Sequence, residues 1–275
     1  IRRTAEEMGY QPNTLASSLK RSTQRIAILL PSDAGDNKYY YQPMWRGVHD
    51  YLSKLNANVE CIELPYYEAD KNEVFEKLKQ LAMEGRIDGI LTVGHVDGFS
   101  TAQDWQDIHD RDISVVSINS ENKLCDSLCC IQPEYDVIGR TMAELIIDRI
   151  PEFGSIFLCA GNPKWDAHSL IVKGFDDYLA ENRCPNLVYK DYSYSINRQN
   201  YLNIFNKLTR PDVAACCSVY SQGTVMLGQA LEESKKAGKV YAVGSDLPDV
   251  TAERLRRSVL NNVIQKNPYA QGYVG

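Results

Sequence analysis

Arg25-Ile26-Ala27-Ile28-Leu29-Leu30-Pro31 is the stretch on which the reading of the fold turns. It is apolar, partly β-branched and strand-sized. It ends in the polar turn Ser32-Asp33-Ala34-Gly35-Asp36-Asn37, and an amphipathic segment, Pro43–Leu55, follows at helical spacing. The same unit recurs along the chain. Further strands are predicted over Asn58–Leu64, Ile87–Val93, Ser114–Ile118, Ser155–Ala160, Asn186–Tyr192, Val213–Val219, Lys239–Val243 and Asn262–Gln265. Helices are predicted over Lys71–Glu84, Tyr135–Ile150, Ser169–Glu181, Arg198–Leu208, Gln222–Lys236 and Val250–Ser258. In Tyr135–Ile150, Val137, Ile138, Met142, Leu145, Ile146 and Ile150 recur every three to four residues, with Arg140, Glu144 and Asp148 on another face. Strand–helix alternation predicts an α/β protein of parallel sheets covered by helices. Nine strands fit one wide sheet or two smaller ones, and the polar break Ser120–Ser127 favours two α/β lobes.

Length and composition agree. At 275 residues, 44% hydrophobic and 24% charged, the chain can bury a substantial core, and disordered, collagenous and disulfide-miniprotein classes are excluded. No apolar run approaches the roughly 20 residues of a membrane span, so no membrane contact is expected. The net charge of -6 is unevenly spread: residues 1–25 carry +3, which leaves -9 on the rest. A basic end on an acidic body marks that end as a candidate contact with nucleic acid.

Eight cysteines are present at 61, 125, 129, 130, 159, 184, 216 and 217. Most fall in apolar strand-like runs, where a free thiol acts as a small hydrophobe. The cluster Cys125–Cys129–Cys130 has no second pair or His to complete a zinc set. Residues 1–10 lack the apolar core of a signal peptide. Cytoplasmic localisation is the expectation, with no metal and no cofactor. There is no Gly-x-Ser-x-Gly elbow, Gly-rich phosphate loop or His-Glu-x-x-His, so an enzyme is not expected. Asp104, Asp107 and Asp110 beside His109 have the spacing of a solvated helix face rather than of a metal site.

Open parallel sheets gather ligands at the carboxyl ends of their strands. Those ends carry Tyr39-Tyr40-Tyr41, Gly94-His95-Val96-Asp97, Asn119, Asp191-Tyr192, Ser221-Gln222, Asp246 and Gln265. Amides and carboxylates suit hydroxyl groups, and aromatic faces suit apolar C–H surfaces.

Ile1–Leu19 reads as a helix ending at Gly9, a Pro-enforced extended link and a short Asn-capped helix over Thr14–Leu19. Gly9-Tyr10-Gln11-Pro12-Asn13, then Ala16-Ser17-Ser18-Leu19, then Arg25–Pro31, resembles the lactose-repressor family of bacterial transcription regulators. In those proteins the last headpiece helix, the hinge helix and the sensor domain follow in this order. The likeness extends through Tyr40-Tyr41 before Gly47, Glu134 and Gly139, Gly174-Phe175, Gly244-Ser245-Asp246 and Val263–Pro268 with Gln271-Gly272-Tyr273.

The resemblance implies a two-lobed, periplasmic-binding-protein-like sensor of type I, each lobe a parallel sheet flanked by helices, with three crossovers. It divides the chain into headpiece end and hinge (1–24), first lobe (25–122 with 266–275) and second lobe (123–265). It further implies a helix-turn-helix before Ile1, a closing helix and strand after Gly275, a homodimer, operator DNA as partner and a sugar or related effector between the lobes. Asn13, Ala16, Leu19 and Lys20 would serve the hinge on DNA, Leu19 as a wedge in the minor groove, with Lys20, Arg21 and Arg25 attracting phosphates. Tyr40 and Tyr41 would stack on the ligand; Asn119, Glu134, Gln222, Asp246 and Gln265 would meet its hydroxyls; Tyr192 would close one side. His95, Trp165 and His168 form a second tier, since a lone His is more often structural. Two departures stand out. Ile171 occupies the place of the family's common ligand arginine, and Gln222-Gly223 replaces its Asn-Asp. The competing reading is a periplasmic-type sugar-binding protein of a transport system.

Overall fold

The computed structural model describes residues 23–55 and 58–275; the helices predicted within Ile1–Leu19, and with them Asn13, Ala16, Leu19 and Lys20, lie outside the described residues. Two five-stranded parallel sheets organise the rest. In the first lobe the chain runs β1 (Gln24–Pro31), α1 (Lys38–Leu52), β2 (Val59–Tyr66), α2 (Lys71–Met83), β3 (Gly89–Val93), α3 (Ala102–His109), β4 (Ser114–Ile118) and β5 (Cys129–Ile131). Its strand order is β2-β1-β3-β4-β5. The second lobe holds α4 (Tyr135–Ile147), β6 (Ser155–Cys159), α5 (Asp166–Glu181), β7 (Val188–Asp191), α6 (Arg198–Leu208), β8 (Val213–Ser218), α7 (Ser221–Glu233), β9 (Tyr241–Ser245), α8 (Asp249–Arg256) and β10 (Asn262–Ile264), in the order β10-β9-β8-β6-β7. The chain then returns to the first lobe as α9 (Pro268–Val274). The two-lobed α/β architecture expected from the alternation is the one observed.

The two sheets repeat one plan, in which the order of the second matches that of the first read from the opposite edge. Each buries its own core. Ala27–Leu30 on β1 and Ile156–Cys159 on β6 are central strands, covered on both faces, and read as unbroken apolar runs for that reason. Fully burying a side chain such as Phe157 or Leu29 contributes about 1.5–3 kcal/mol. Arg25 closes the start of β1 onto the residue before β3. Its guanidinium forks onto Asp88 at 2.8 and 3.1 Å, and the same carboxylate accepts the Arg25 backbone N–H. Beside Arg25 the Asp88 carboxyl is held below its ordinary range. Arg25 therefore serves as a sheet clasp, its guanidinium paired with Asp88.

Glycine sets the helix packing in each lobe. A methyl group on Gly47 of α1 would overlap the Tyr269 carbonyl oxygen of α9, and one on Gly272 would overlap that of Met44. The second lobe repeats the device: Gly139 of α4 abuts the Ile171 carbonyl of α5, and Gly174 abuts that of Asp136. Ile171 is thus fully buried in the core at a helix crossing.

The structure departs from the sequence reading in several places. Helix α1 begins at Lys38 rather than Pro43, so Pro43 lies inside it. The missing N–H is tolerated because Tyr40, Tyr41, Met44 and Trp45 bury one face of the turn. Helix α9 forms over a stretch given no helix, and α3 extends over Ala102–His109 the helix read only as a solvated face at Asp104–Asp110. The three-residue strand β5 was not foreseen, because its residues lie inside what reads as a polar break; it pairs with β4 from Val116↔Cys129 to Ile118↔Ile131. The first sheet therefore runs to Ile131, past the expected division at 122/123.

Candidate functional site

The carboxyl ends of both sheets face one another across a cleft of about 660 Å3. Pro31, Tyr66, His95 and Asn119 reach it from the ends of β1 to β4; Asn162, Tyr194, Tyr220 and Lys266 reach it from the segments after β6, β7, β8 and β10. This is where an open parallel sheet exposes the loops that can carry a site.

The floor is a continuous polar chain between the crossovers. Asn119 follows β4 and Asp246 follows β9, equivalent places in the two lobes. Both adopt a left-handed backbone, at φ 67° and 63°. Each N–H bonds the last residue of the neighbouring strand: Asn119 to the Ile131 carbonyl at 3.0 Å, Asp246 to that of Ile264 at 2.9 Å. Asn and Asp are among the few non-glycine residues that enter this region readily. The Asn119 side-chain oxygen accepts from the Tyr40 hydroxyl at 2.7 Å and from the Tyr135 hydroxyl at 3.0 Å. Tyr135 also donates to the Asn119 carbonyl. Gln271 on α9 donates to the Tyr40 hydroxyl at 3.1 Å and to the Lys266 carbonyl at 2.8 Å. Lys266 in turn places its ammonium 3.0 Å from Asp246 and 2.9 Å from the Val219 carbonyl, over the ring of Tyr40. Ser221 completes the chain by donating to Asp246 at 2.6 Å. Burial raises the Tyr40 and Tyr135 phenols well above their ordinary range, so both stay protonated as donors.

The walls are aromatic. Tyr40 and Tyr41 meet edge to face with centroids 5.3 Å apart. His95 of the first lobe stacks on Trp165 of the second, 4.9 Å between centroids at 27°. Trp165 also packs against His168 and Tyr194, and His168 against Tyr220. Tyr66 and His95 share a hydrogen bond of 3.0 Å, and His168 Nδ1 accepts the Asn162 N–H at 2.9 Å. Burial, assisted by the charge of Lys71, lowers His95 to about 4; burial, assisted by Lys266 and His95, lowers His168 to about 3. Both imidazoles are neutral at pH near 7 and present polar but uncharged edges. Beyond the stack, Lys123 meets Asp166 at 2.8 Å and the Gln222 amide donates to the Asp36 carbonyl at 3.0 Å, each joining one lobe to the other.

The placement of the sequence-predicted residues follows. Tyr40, Tyr41, Asn119 and Gln222 line the cleft, as do all three second-tier residues, His95, Trp165 and His168. Asp246 lies beneath the floor at 1% exposure, its carboxylate engaged by Lys266 and Ser221. Three others stand outside the lining. Glu134 is exposed at the start of α4, where it caps the helix position without a side-chain bond. Tyr192 is 47% exposed just past β7, and Tyr194 reaches the cleft instead. Gln265 is exposed, and its neighbour Lys266 points in. In an extended segment adjacent side chains take opposite faces, so an offset of one residue exchanges a wall for solvent. Tyr66, Asn162, Tyr194, Tyr220 and Lys266 are cleft residues that sequence reasoning did not select. Lys266 could have been found in the Val263–Pro268 segment; Tyr66 was missed because its strand was ended at Leu64.

A family profile described as periplasmic binding protein domain matches residues 26–275. A search of curated proteins finds no match. Among solved structures, the chain is similar to GanP, a glucose-galactose binding protein from Geobacillus stearothermophilus, at 20% identity and TM-score 0.76, covering 92% of this chain and 89% of that one. It is similar to an ABC transporter periplasmic solute binding protein from Actinobacillus succinogenes with bound D-allose, at 17% identity and TM-score 0.76, covering 91% and 88%. A Bacteroides fragilis structure described as a LacI transcriptional regulator aligns at 17% identity and TM-score 0.75, covering 92% and 88%. At these identities the structural likeness speaks for the fold. The twin parallel sheets, the cleft between their carboxyl ends and the profile match together place the chain in the periplasmic-binding-protein domain family.

Proposed function

We propose that this chain is a receptor domain that closes its two lobes on one small hydroxylated molecule of the sugar class. The observation that carries the reading is the cleft itself, where aromatic walls surround a floor of paired polar donors drawn from both lobes. Rings such as Tyr41 and Trp165 suit the C–H faces of a sugar, and the amides and hydroxyls of Gln222, Ser120 and Asn162 suit its hydroxyls. The named structural neighbours that bind glucose, galactose or allose support the same class. The test is calorimetric titration with neutral pentoses and hexoses. Binding of at least one sugar, weakened about tenfold or more by Trp165→Ala, is expected. Failure of every sugar to bind would remove the reading.

Two outputs for closure are open to the domain. Solute capture for transport is supported by the neighbours described as binding proteins of transport systems. Control of operator DNA by a cytoplasmic homodimer is supported by Gly9–Lys20, in which Asn13, Ala16, Leu19 and Lys20 match a lactose-repressor hinge. The neighbour described as a LacI regulator supports the same output. The natural full-length protein separates them: a sugar-dependent, sequence-selective gel shift of DNA from its own promoter supports the second output, and absence of any shift with and without sugar refutes it.

A further inference from the structure

We infer that the cleft selects an uncharged ligand and rejects the corresponding sugar acids and phosphate esters, with the buried Lys266–Asp246 pair as the discriminating element. The inference rests on the proposed function and deepens it. Lys266 is the cation of the cleft floor, with only 4% of its side chain exposed, and it touches the space from the junction of the two lobes. An ammonium in that place would ordinarily make the floor a receptor for a carboxylate or phosphate. Here its charge is already met. Asp246, 1% exposed, stands 3.0 Å away and is itself held by Ser221 and by the Lys266 backbone N–H. Of the three donors on the ammonium, one goes to Asp246 and one to the Val219 carbonyl. The remaining donor can serve a neutral oxygen. A second anion brought to this lysine would be buried beside Asp246 with one cation between two carboxylates, and the desolvation of the added charge would be uncompensated.

The rest of the lining agrees. Asp36, Glu68 and Asp97 balance Lys71, Lys164 and Lys266 in number. Lys71 is paired with Glu68 at 2.5 Å, and Lys164 stands exposed at the rim. The half-buried Asp97 carboxylate lines the same cleft as the His95–Trp165 stack and adds no positive charge for an anion to meet. His95 and His168, the other nitrogen bases on the wall, are neutral and add no positive charge. A hydroxyl oxygen can use the third Lys266 donor and the amides of the wall without adding charge to the site.

The experiment is a paired titration of the folded chain by calorimetry. D-glucose, D-galactose and D-allose are each compared with the matching uronic acid and terminal phosphate ester, on wild type and on Asp246→Asn. The expected result is that a neutral sugar binds wild type at least about tenfold more tightly than its acid or phosphate. In Asp246→Asn, which keeps an acceptor oxygen for Ser221 and Lys266 but removes the charge, that preference narrows or inverts, because the lysine is unmasked. An acid or phosphate that binds wild type as tightly as its neutral partner overturns the inference and leaves sugar binding standing. An unchanged neutral-to-anion ratio in Asp246→Asn refutes the role of the pair. If no compound of any charge binds wild type, the proposed function falls and the inference with it. Should Asp246→Asn fail to fold, the wild-type ratios alone decide charge selection.

Discussion

Acidification should weaken the fold through two histidines, within a window that the carboxylates do not share. His95 and His168 are held neutral by burial, at about 4 and about 3 against an ordinary 6.5. For a base whose folded value is depressed, the unfolded chain binds the extra proton. Stability is therefore complete above about pH 6.5 and falls as pH drops toward the folded values. At about pH 5 the free imidazoles are charged and the buried ones are not, and the gap between about 5 and 6.5 costs about 2 kcal/mol for each ring. Two rings give about 4 kcal/mol, a large share of the roughly 5–15 kcal/mol of a typical domain. Carboxylates lowered by their partners, such as Asp88 beside Arg25 and Asp212 at about 2 beneath Ser155 and Tyr189, lose their contribution only at lower pH, below about 4. Protonation has a geometric cost as well, since His168 Nδ1 would have to give up the Asn162 N–H.

Urea unfolding of wild type and of His95→Gln with His168→Gln, at about pH 7 and about pH 5, reads the energy. Histidine proton NMR reads the two pKa values directly. Wild type should lose about 4 kcal/mol over this interval and the double variant little of it. A ring that titrates near 6.5 in the folded protein, or a double variant with the full wild-type loss, would refute the argument.

Gly47→Ala and Gly139→Ala each force a methyl group onto a backbone carbonyl of the facing helix, and should each cost several kcal/mol, about 2–4, in thermal or urea unfolding. A loss below about 0.5 kcal/mol would show that the helices can part freely. Lys266→Met leaves Asp246 buried without its cation and should destabilise by about 3–5 kcal/mol, with part recovered when Asp246→Asn is added; strict additivity of the two changes would deny the pairing. Trp165→Ala removes the stack that joins His95 to the second lobe, so small-angle scattering of the ligand-free protein should show a larger radius of gyration than wild type. An unchanged profile would mean that the stack does not hold the lobes together.

Much of the cleft was legible because strand ends are legible. An apolar run that stops at a polar turn locates the carboxyl end of a strand, and in a parallel sheet that end faces the site; Tyr40, Asn119 and Gln222 were found in this way. The errors arose where the signal is finest. Gln265 and Lys266 differ by one position and take opposite faces, and nothing in a single sequence sets that parity once the strand has ended. Glu134 was drawn in by its place in a motif and Tyr192 by its place at a strand end, yet each turns its side chain to solvent. Strand β5 carries only Cys129–Ile131 and is ordered by pairing with β4, a long-range gain invisible to a local window.

The sequence by itself determined the α/β class and the aromatic and amide character of the site, and favoured two lobes, because hydrophobic periodicity and turn chemistry are local properties of the chain. It also marked Asp246 as a ligand residue and left Lys266, twenty positions on, an ordinary charged residue. Only the tertiary structure made them a pair, by carrying the return crossover back past the end of β9 and burying both groups where water no longer screens them. An interaction between charges depends on separation and surroundings, and neither is written in the order of residues. The same holds for His95 and Trp165, which come from different lobes and become a stack only when the lobes face each other.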